Sequence, residues 1–247
     1  MLIIIPDIHG RDFWKKPIND VIENRLNVDK IIFLGDYFDP YKNEGITEEN
    51  AIRNWLDIKE TVVDKLPSEK YVFLIGNHDA HYMNDIFCKL AGGSRMSVWN
   101  KQTIKGILQD NRFLFKIAHE ETVGGKRFLF THAGVNNEWL ERHRDLLPSL
   151  NERCLNNLSH SDKGWEILSD IGHIRGGYQA TGSPLWSDAH EHLESEMEDE
   201  KSSIENYDYQ IFGHTQQKEK PLIKNNYAML DCRKPFLLTD DGVIQEV

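Results

Sequence analysis

Three short apolar runs punctuate the first third of the chain: Leu2 to Ile5, Lys30 to Leu34 (KIIFL) and Tyr71 to Ile75 (YVFLI). Runs of this length suit strands buried on both faces. Between them the apolar spacing changes. Residues 12–27 place Trp14, Ile18, Val21, Ile22 and Leu26 roughly on one face, which predicts a loop and a helix. A second helix is predicted over 47–65, with Thr47 as N-cap and Asn50 three residues on. Its expected apolar stripe is Ile52, Leu56, Ile58, Val62 and Val63. Strand–helix–strand–helix–strand order requires crossovers and predicts an α/β fold with a largely parallel sheet.

The remainder is less regular. Residues 80–112 read as helical and irregular, and 113–131 as a hairpin turning at Gly124-Gly125. Residues 136–206 are polar, helical or looped, with an acidic run near 194–200. Strands are expected at Tyr209–Phe212, 227–230, 236–239 and 243–246, the last turn being Asp240-Asp241-Gly242. No repeat, low-complexity tract or linker interrupts the pattern, so one domain spanning 1–247 is expected.

Composition narrows the function. Hydrophobic residues make up 39% and charged residues 28%, as in globular proteins. The net charge of -11 argues against a partner such as long nucleic acid, which favours a basic face. Small phosphoesters and phosphorylated proteins remain open as substrates. Cys88, Cys154 and Cys232 are too few and too scattered for a disulfide framework or zinc ribbon, and a reducing cytoplasm is expected. The opening MLIIIPDIHG has no basic leader, and no stretch reaches the ~20 apolar residues of a membrane span.

The chemistry lies where strands stop. Five strands end in polar clusters: Asp7-Ile8-His9-Gly10, Gly35-Asp36-Tyr37-Phe38-Asp39, Gly76-Asn77-His78-Asp79, Thr131-His132-Ala133-Gly134 and Gly213-His214-Thr215. In open α/β sheets, ligands bind beyond the carboxyl ends of the strands. Carboxylates, imidazoles and an amide without thiolates suit manganese, iron or zinc better than calcium or Cu(I). One Asp-x-His means little, but polar caps on loops do not explain Asp and His at five strand ends.

This ordered set resembles the calcineurin-like metallophosphoesterase superfamily. Asp7-x-His9-Gly10 and His132-Ala133-Gly134 are similar to its phosphoprotein-phosphatase branch, which includes bacterial and phage Ser/Thr phosphatases and symmetrical diadenosine tetraphosphatases. The resemblance implies a four-layer α/β/β/α sandwich with two mixed sheets. It implies two divalent ions, manganese first. Asp7 and His9 would hold one ion, Asp36 would bridge, and Asn77, His132 and His214 would complete the other. His78, held by Asp39, would be the general acid.

The chain also departs from that pattern. Asp39 is followed by Pro40-Tyr41, where the branch has Arg-Gly and its phosphate clamp. Asp79 stands where Glu is usual, and Gln216 where many relatives carry a last His. Arg175 is the first candidate to replace the clamp, Arg11 the second and Arg95 a weaker third. His81, His119, His143, His160, His173, His190 and His192 match no motif, and surface or supporting roles are expected. Trp14, Trp55, Trp139 and Trp165 are expected in the core. The first functional expectation is a phosphomonoesterase of Ser/Thr phosphatase type. The alternatives are a hydrolase of diadenosine tetraphosphate or another nucleotide phosphodiester, and a metal-binding scaffold without turnover. A nuclease is disfavoured by the charge.

Overall fold

The computed structural model describes residues 1–92, 95–198 and 204–247. The strands are β1 (Leu2–Ile5), β2 (Lys30–Phe33), β3 (Tyr71–Leu74), β4 (Phe115–Lys116), β5 (Ala118–Val123), β6 (Lys126–Thr131), β7 (Tyr209–Phe212), β8 (Leu222–Ile223), β9 (Tyr227–Met229), β10 (Phe236–Leu238) and β11 (Ile244–Glu246). The helices are α1 (Lys15–Ile22), α2 (Glu48–Ile58), α3 (Asn77–Met83), α4 (Asp85–Ala91), α5 (Lys101–Asp110), α6 (Asn137–Arg142), α7 (Glu152–Leu158), α8 (Asp162–Leu168) and α9 (Ala189–Glu198). The acidic run at 194–200 falls outside the residues whose side chains are described.

Two mixed sheets result. One has the order β11-β10-β1-β2-β3-β4 and the other β5-β6-β7-β9-β8. The period of two along each strand separates two cores. Leu2, Ile4, Ile32, Leu34, Val72 and Leu74 face Phe128, Phe130, Ile211 and Ala228 between the sheets. Ile3, Ile5, Ile31, Phe33 and Phe73 point the other way, into a layer with Trp14, Trp55, Trp139 and Trp165. Ala189 of α9 packs with Phe212, Tyr227 and Met229 on the far face of the second sheet. The layers therefore run helix, sheet, sheet, helix. All four tryptophans expected in the core are at most 2% exposed.

The first sheet is less parallel than the apolar runs suggest. β1 to β4 are parallel, but β10 pairs antiparallel with β1, and β11 with β10. The turn at 239–243, closed by Thr239 N–H to Val243 O at 2.9 Å, makes β10 and β11 a hairpin added to that edge. An apolar run carries no record of strand direction. The cap of α2 is as expected: Thr47 and Asn50 form a reciprocal capping box. Its buried face differs. Ala51, Asn54, Trp55 and Ile58 are buried while Leu56 is 49% exposed. Asn54 is accommodated because Trp14 Nε1 donates to its Oδ1 at 3.1 Å and its Nδ2 donates to Arg11 O at 3.0 Å. The helix continues through a π turn at Lys59–Val63.

The carboxyl ends of β1, β2 and β3 meet those of β6 and β7 at one edge. Gly213 N–H donates to His132 O at 2.8 Å, and the loops after β1 and β2 are joined by His9 N–H to Asp36 O at 2.6 Å. His132 Nδ1 lies 2.8 Å from Leu34 O and so ties the second sheet to the first.

Candidate metal centre

The turns that leave these strands are strained. Among the described residues, seven non-glycine residues have positive φ, and four of them are His9 (44°), Asp36 (55°), Asp39 (55°) and His214 (65°). Left-handed backbone at ordinary residues costs of order 1–3 kcal/mol each and persists where the surroundings impose it. The neighbouring glycines allow close approach. A Cβ on Gly76 would lie 2.0 Å from Asp36 Oδ1, and one on Gly213 would lie 2.1 Å from Asp7 Oδ1.

Two groups of potential ligand atoms share one carboxylate. His9, Asp36 and His78 form one, and Asp36, His132 and His214 the other, with the atoms of each within 4.8 Å of one another. Asp36 Oδ2 lies 3.4 Å from His9 Nε2 and 3.5 Å from His132 Nε2. Asn77 Oδ1 lies 3.0 Å from His132 Nε2 and 3.1 Å from His214 Nδ1. Asp7 reaches the same edge, accepting from His214 N–H with both oxygens at 3.1 Å. All are buried. The structure thus brings together Asp7, His9, Asp36, Asn77, His78, His132 and His214.

Burial and close charges shift the acids and bases of this cluster. Burial drives Asp7 up to about 6, with Asp36 adding to the shift against the pull of His132. Burial would raise Asp36 as well, but His132, His78, His9 and His214 together hold it below the usual carboxylate range. Burial also keeps His9 and His214 well below the ordinary imidazole value. His9 Nδ1 is anchored on Phe38 O and His132 Nδ1 on Leu34 O, each at 2.8 Å. With the proton on that nitrogen, each ring turns an Nε2 lone pair toward Asp36. His132 Nε2, His214 Nδ1 and Asn77 Oδ1 then converge as three electron-pair donors around one point. This donor set fits divalent metal ions of the transition series.

Beside it stands a second arrangement. His78 Nδ1 is 2.8 Å from Asp39 Oδ2, and the Tyr82 hydroxyl donates to Asp39 Oδ1 at 2.5 Å. Asp79 accepts from the backbone N–H groups of Asp36, Tyr37 and Gly76 at 2.7, 3.0 and 2.9 Å. It therefore pins the second motif to the third. Sequence reasoning left Tyr82 unassigned; its place one helical turn after His78 is the signal that could have found it.

The arginines separate. Arg11 is buried, bonds Glu44 with Nε at 2.8 Å and Nη2 at 3.0 Å, and donates to Asp7 O at 3.1 Å. Arg175 lies against Asp188 Oδ2 at 2.5 Å and Thr215 Oγ1 at 2.9 Å, next to His214. Arg95 donates to Asp39 O at 3.2 Å and stacks on Tyr41, its Cζ 3.6 Å from the ring centre. Tyr41 in turn meets His9 edge-on at 5.0 Å. Of the unmatched histidines, His81, His119 and His192 are buried, while His160, His173 and His190 are exposed.

The chain belongs to the calcineurin-like phosphoesterase family, whose pattern it matches over residues 2–218. This family is metal-dependent. No curated protein sequence matches the chain. Among solved structures, a protein serine/threonine phosphatase from Saccharomyces cerevisiae is 12% identical, with a TM-score of 0.46 over 92% of this chain and 65% of that one. A hypothetical protein from Pyrococcus horikoshii OT3 is 14% identical, with a TM-score of 0.33 over 54% of this chain and 56% of that one. The chain thus spans less than two thirds of either structure's length. Among the described residues, no helix is long and apolar enough to cross a membrane.

Proposed function

We propose that the chain hydrolyses phosphate monoesters at a two-ion centre, as a phosphatase of the Ser/Thr phosphoprotein type. The observation that carries this reading is Asp36, shared by two imidazole groups, with His78 backed by Asp39 beside it. In this reading Asp7, His9 and Asp36 serve the first ion, and Asp36, Asn77, His132 and His214 the second. Manganese is the first choice, and iron or zinc would suit the same donors. Such ions, when bound, neutralise phosphoryl charge and make a water acidic enough to attack phosphorus.

The chain's own groups supply the rest. His78 gives a proton to the leaving oxygen from Nε2, while its Nδ1–H keeps donating a hydrogen bond to Asp39, which orients the ring and stabilises its charged form. Tyr82 fixes Asp39 through its other oxygen. Arg175 and Arg95 bind phosphoryl oxygens, Arg175 pre-oriented by Asp188 and Thr215, Arg95 by Tyr41 and Asp39 O. Arg11, first expected to touch substrate, is better read as a support for the Asp7 backbone, because Glu44 takes its guanidinium.

A cleft of about 510 Å³ opens beside Arg175, lined by Tyr178, Gln179 and Trp186 among others. Aromatic faces of that kind also suit a nucleobase, and this is the observation that favours a dinucleotide substrate. A panel separates the two readings. Metal-stripped protein reloaded with Mn²⁺ is given an aryl phosphomonoester, the matching diester, a phosphopeptide and diadenosine tetraphosphate. The proposal expects the monoester and phosphopeptide to be cleaved fastest. A preference for the diester or the dinucleotide overturns it.

A further inference from the structure

A sixth strand end reaches the edge where the metal centre lies. The β7–β9 pairing, Ile211 with Ala228 and Phe212 with Met229, continues past the strands through Leu230 N–H to Phe212 O at 2.8 Å. Asp231 therefore stands beside Gly213-His214, neighbouring strands being about 4.8 Å apart. Those two residues are the seat of Asp7, which accepts from His214 N–H and lies over the Cα of Gly213.

Asp231 is 1% exposed, and neither carboxylate oxygen has a hydrogen-bond partner among the described residues. Buried charges are paired, hydrogen-bonded or bound to metals, because desolvation is otherwise uncompensated. Among the described residues, the cations near it are engaged elsewhere. Arg11 and Arg233 are close enough to act on Asp231 electrostatically, but both are bonded to Glu44, at 2.8 and 3.1 Å. Asp7 and Asp36 add only like charge. Gln216 offers no ligand: it is exposed, and its Oε1 accepts from Arg233 Nη2 at 3.3 Å.

We infer that Asp231 is a further acidic member of the metal centre, giving an oxygen donor to the ion on the Asp7–His9 side. The inference rests on the two-ion reading above. It assigns to β9 what Gln216 does not supply.

The test is Mn²⁺ binding, by calorimetry and by metal analysis after dialysis, on wild type, Asp231→Asn and Asp231→Ser. Thermal unfolding with and without Mn²⁺ accompanies it. Wild type is expected to bind two ions. Both variants should bind one of them at least tenfold more weakly and show a smaller Mn²⁺-induced rise in Tm. Metal-free Asp231→Asn should be at least as stable as wild type, since a buried charge is gone, and this separates ligand loss from misfolding. Wild-type affinity for both ions in the two variants overturns this inference alone. Fewer than two ions on wild type overturns the two-ion reading and this inference with it.

Discussion

His78 Nδ1 and Asp39 Oδ2 are 2.8 Å apart, although their residues lie 39 positions apart in the chain. The imidazole lies in the first turn of α3 and the carboxylate sits in the left-handed turn after β2. The pairing occupies Nδ1 and leaves Nε2 as the nitrogen for the proposed proton transfer. His78→Ala is expected to lower kcat by roughly 10²–10⁴-fold, the usual range for losing a general acid. Metal content should stay at the wild-type value. Asp39→Asn should have a smaller effect in the same direction. Steady-state kinetics with metal analysis checks this, and loss of metal in His78→Ala would make the residue a ligand instead.

Gly76 shows how tightly the second and third motifs are joined. A Cβ there would lie 2.0 Å from Asp36 Oδ1 and 2.5 Å from Asp36 N. The backbone has no room to retreat, so Gly76→Ala should destabilise the metal-free protein by about 1–3 kcal/mol or more. Gly106→Ala in α5 is the control, with nothing within 4 Å of the added carbon. It should stabilise by roughly 0.5–1 kcal/mol through helix propensity. Urea unfolding of the two variants gives both numbers.

Arg175 and Arg95 differ in what restrains them. Arg175 is tied to Asp188, whereas Arg95 has no carboxylate within ion-pair distance among the described residues and lies on the Tyr41 ring. Both Arg175→Ala and Arg95→Ala should raise KM for the phosphomonoester. Tyr41→Leu should reproduce part of the Arg95 effect by removing its seat, since a cation–π contact contributes about 0.5–2 kcal/mol. An unchanged KM in an arginine variant removes that arginine from the substrate site.

Away from the centre, His119 is buried between Glu121 at 2.8 Å and Glu152 at 3.5 Å. Burial works against its proton, but the hydrogen bond to Glu121 and the nearby Glu152 carboxylate raise its pKa above the usual value. Glu121 is drawn down to about 2, first by His119; Glu152 falls to about 2 because His119 and Lys116 outweigh its burial. The histidine's contribution is full below its unfolded value near ~6.5 and fades as pH rises through its raised folded value. The glutamates contribute above ~4.3 and lose that contribution as pH falls toward 2. His119→Gln should therefore cost most stability near pH 5.5, on the order of 1 kcal/mol, and less at pH 9. An equal cost at both values in thermal or urea unfolding would contradict the ion network.

Most of the residues of the candidate centre are legible in the sequence because each motif is local: a strand stops and its polar cap follows. Asp7, His9, Asp36, Asn77, His78, His132 and His214 all announce themselves in this way. What was not legible depends on contacts between distant segments. Tyr82 matters through a carboxylate 43 residues away, and Arg95 through a ring 54 positions earlier in the chain. Asp231 follows an unremarkable apolar strand, and only the β7–β9 register sets it beside His214. Likewise, the hairpin of β10 and β11 carries nothing that says it will join β1 in the antiparallel sense. Leu56 fits a helical stripe in spacing yet faces solvent, because Asn54 and Trp55 fix the rotation of α2.

The most direct test is turnover of an aryl phosphomonoester by metal-stripped protein titrated with Mn²⁺, beside Asp36→Asn and His78→Ala. The two-ion account expects no turnover without metal, and turnover that rises as the ions bind to wild type. It expects Asp36→Asn to lose both metal and activity, and His78→Ala to lose activity alone. Wild-type protein that binds two ions yet cleaves neither this ester nor a phosphopeptide would contradict it and favour a non-catalytic metal scaffold.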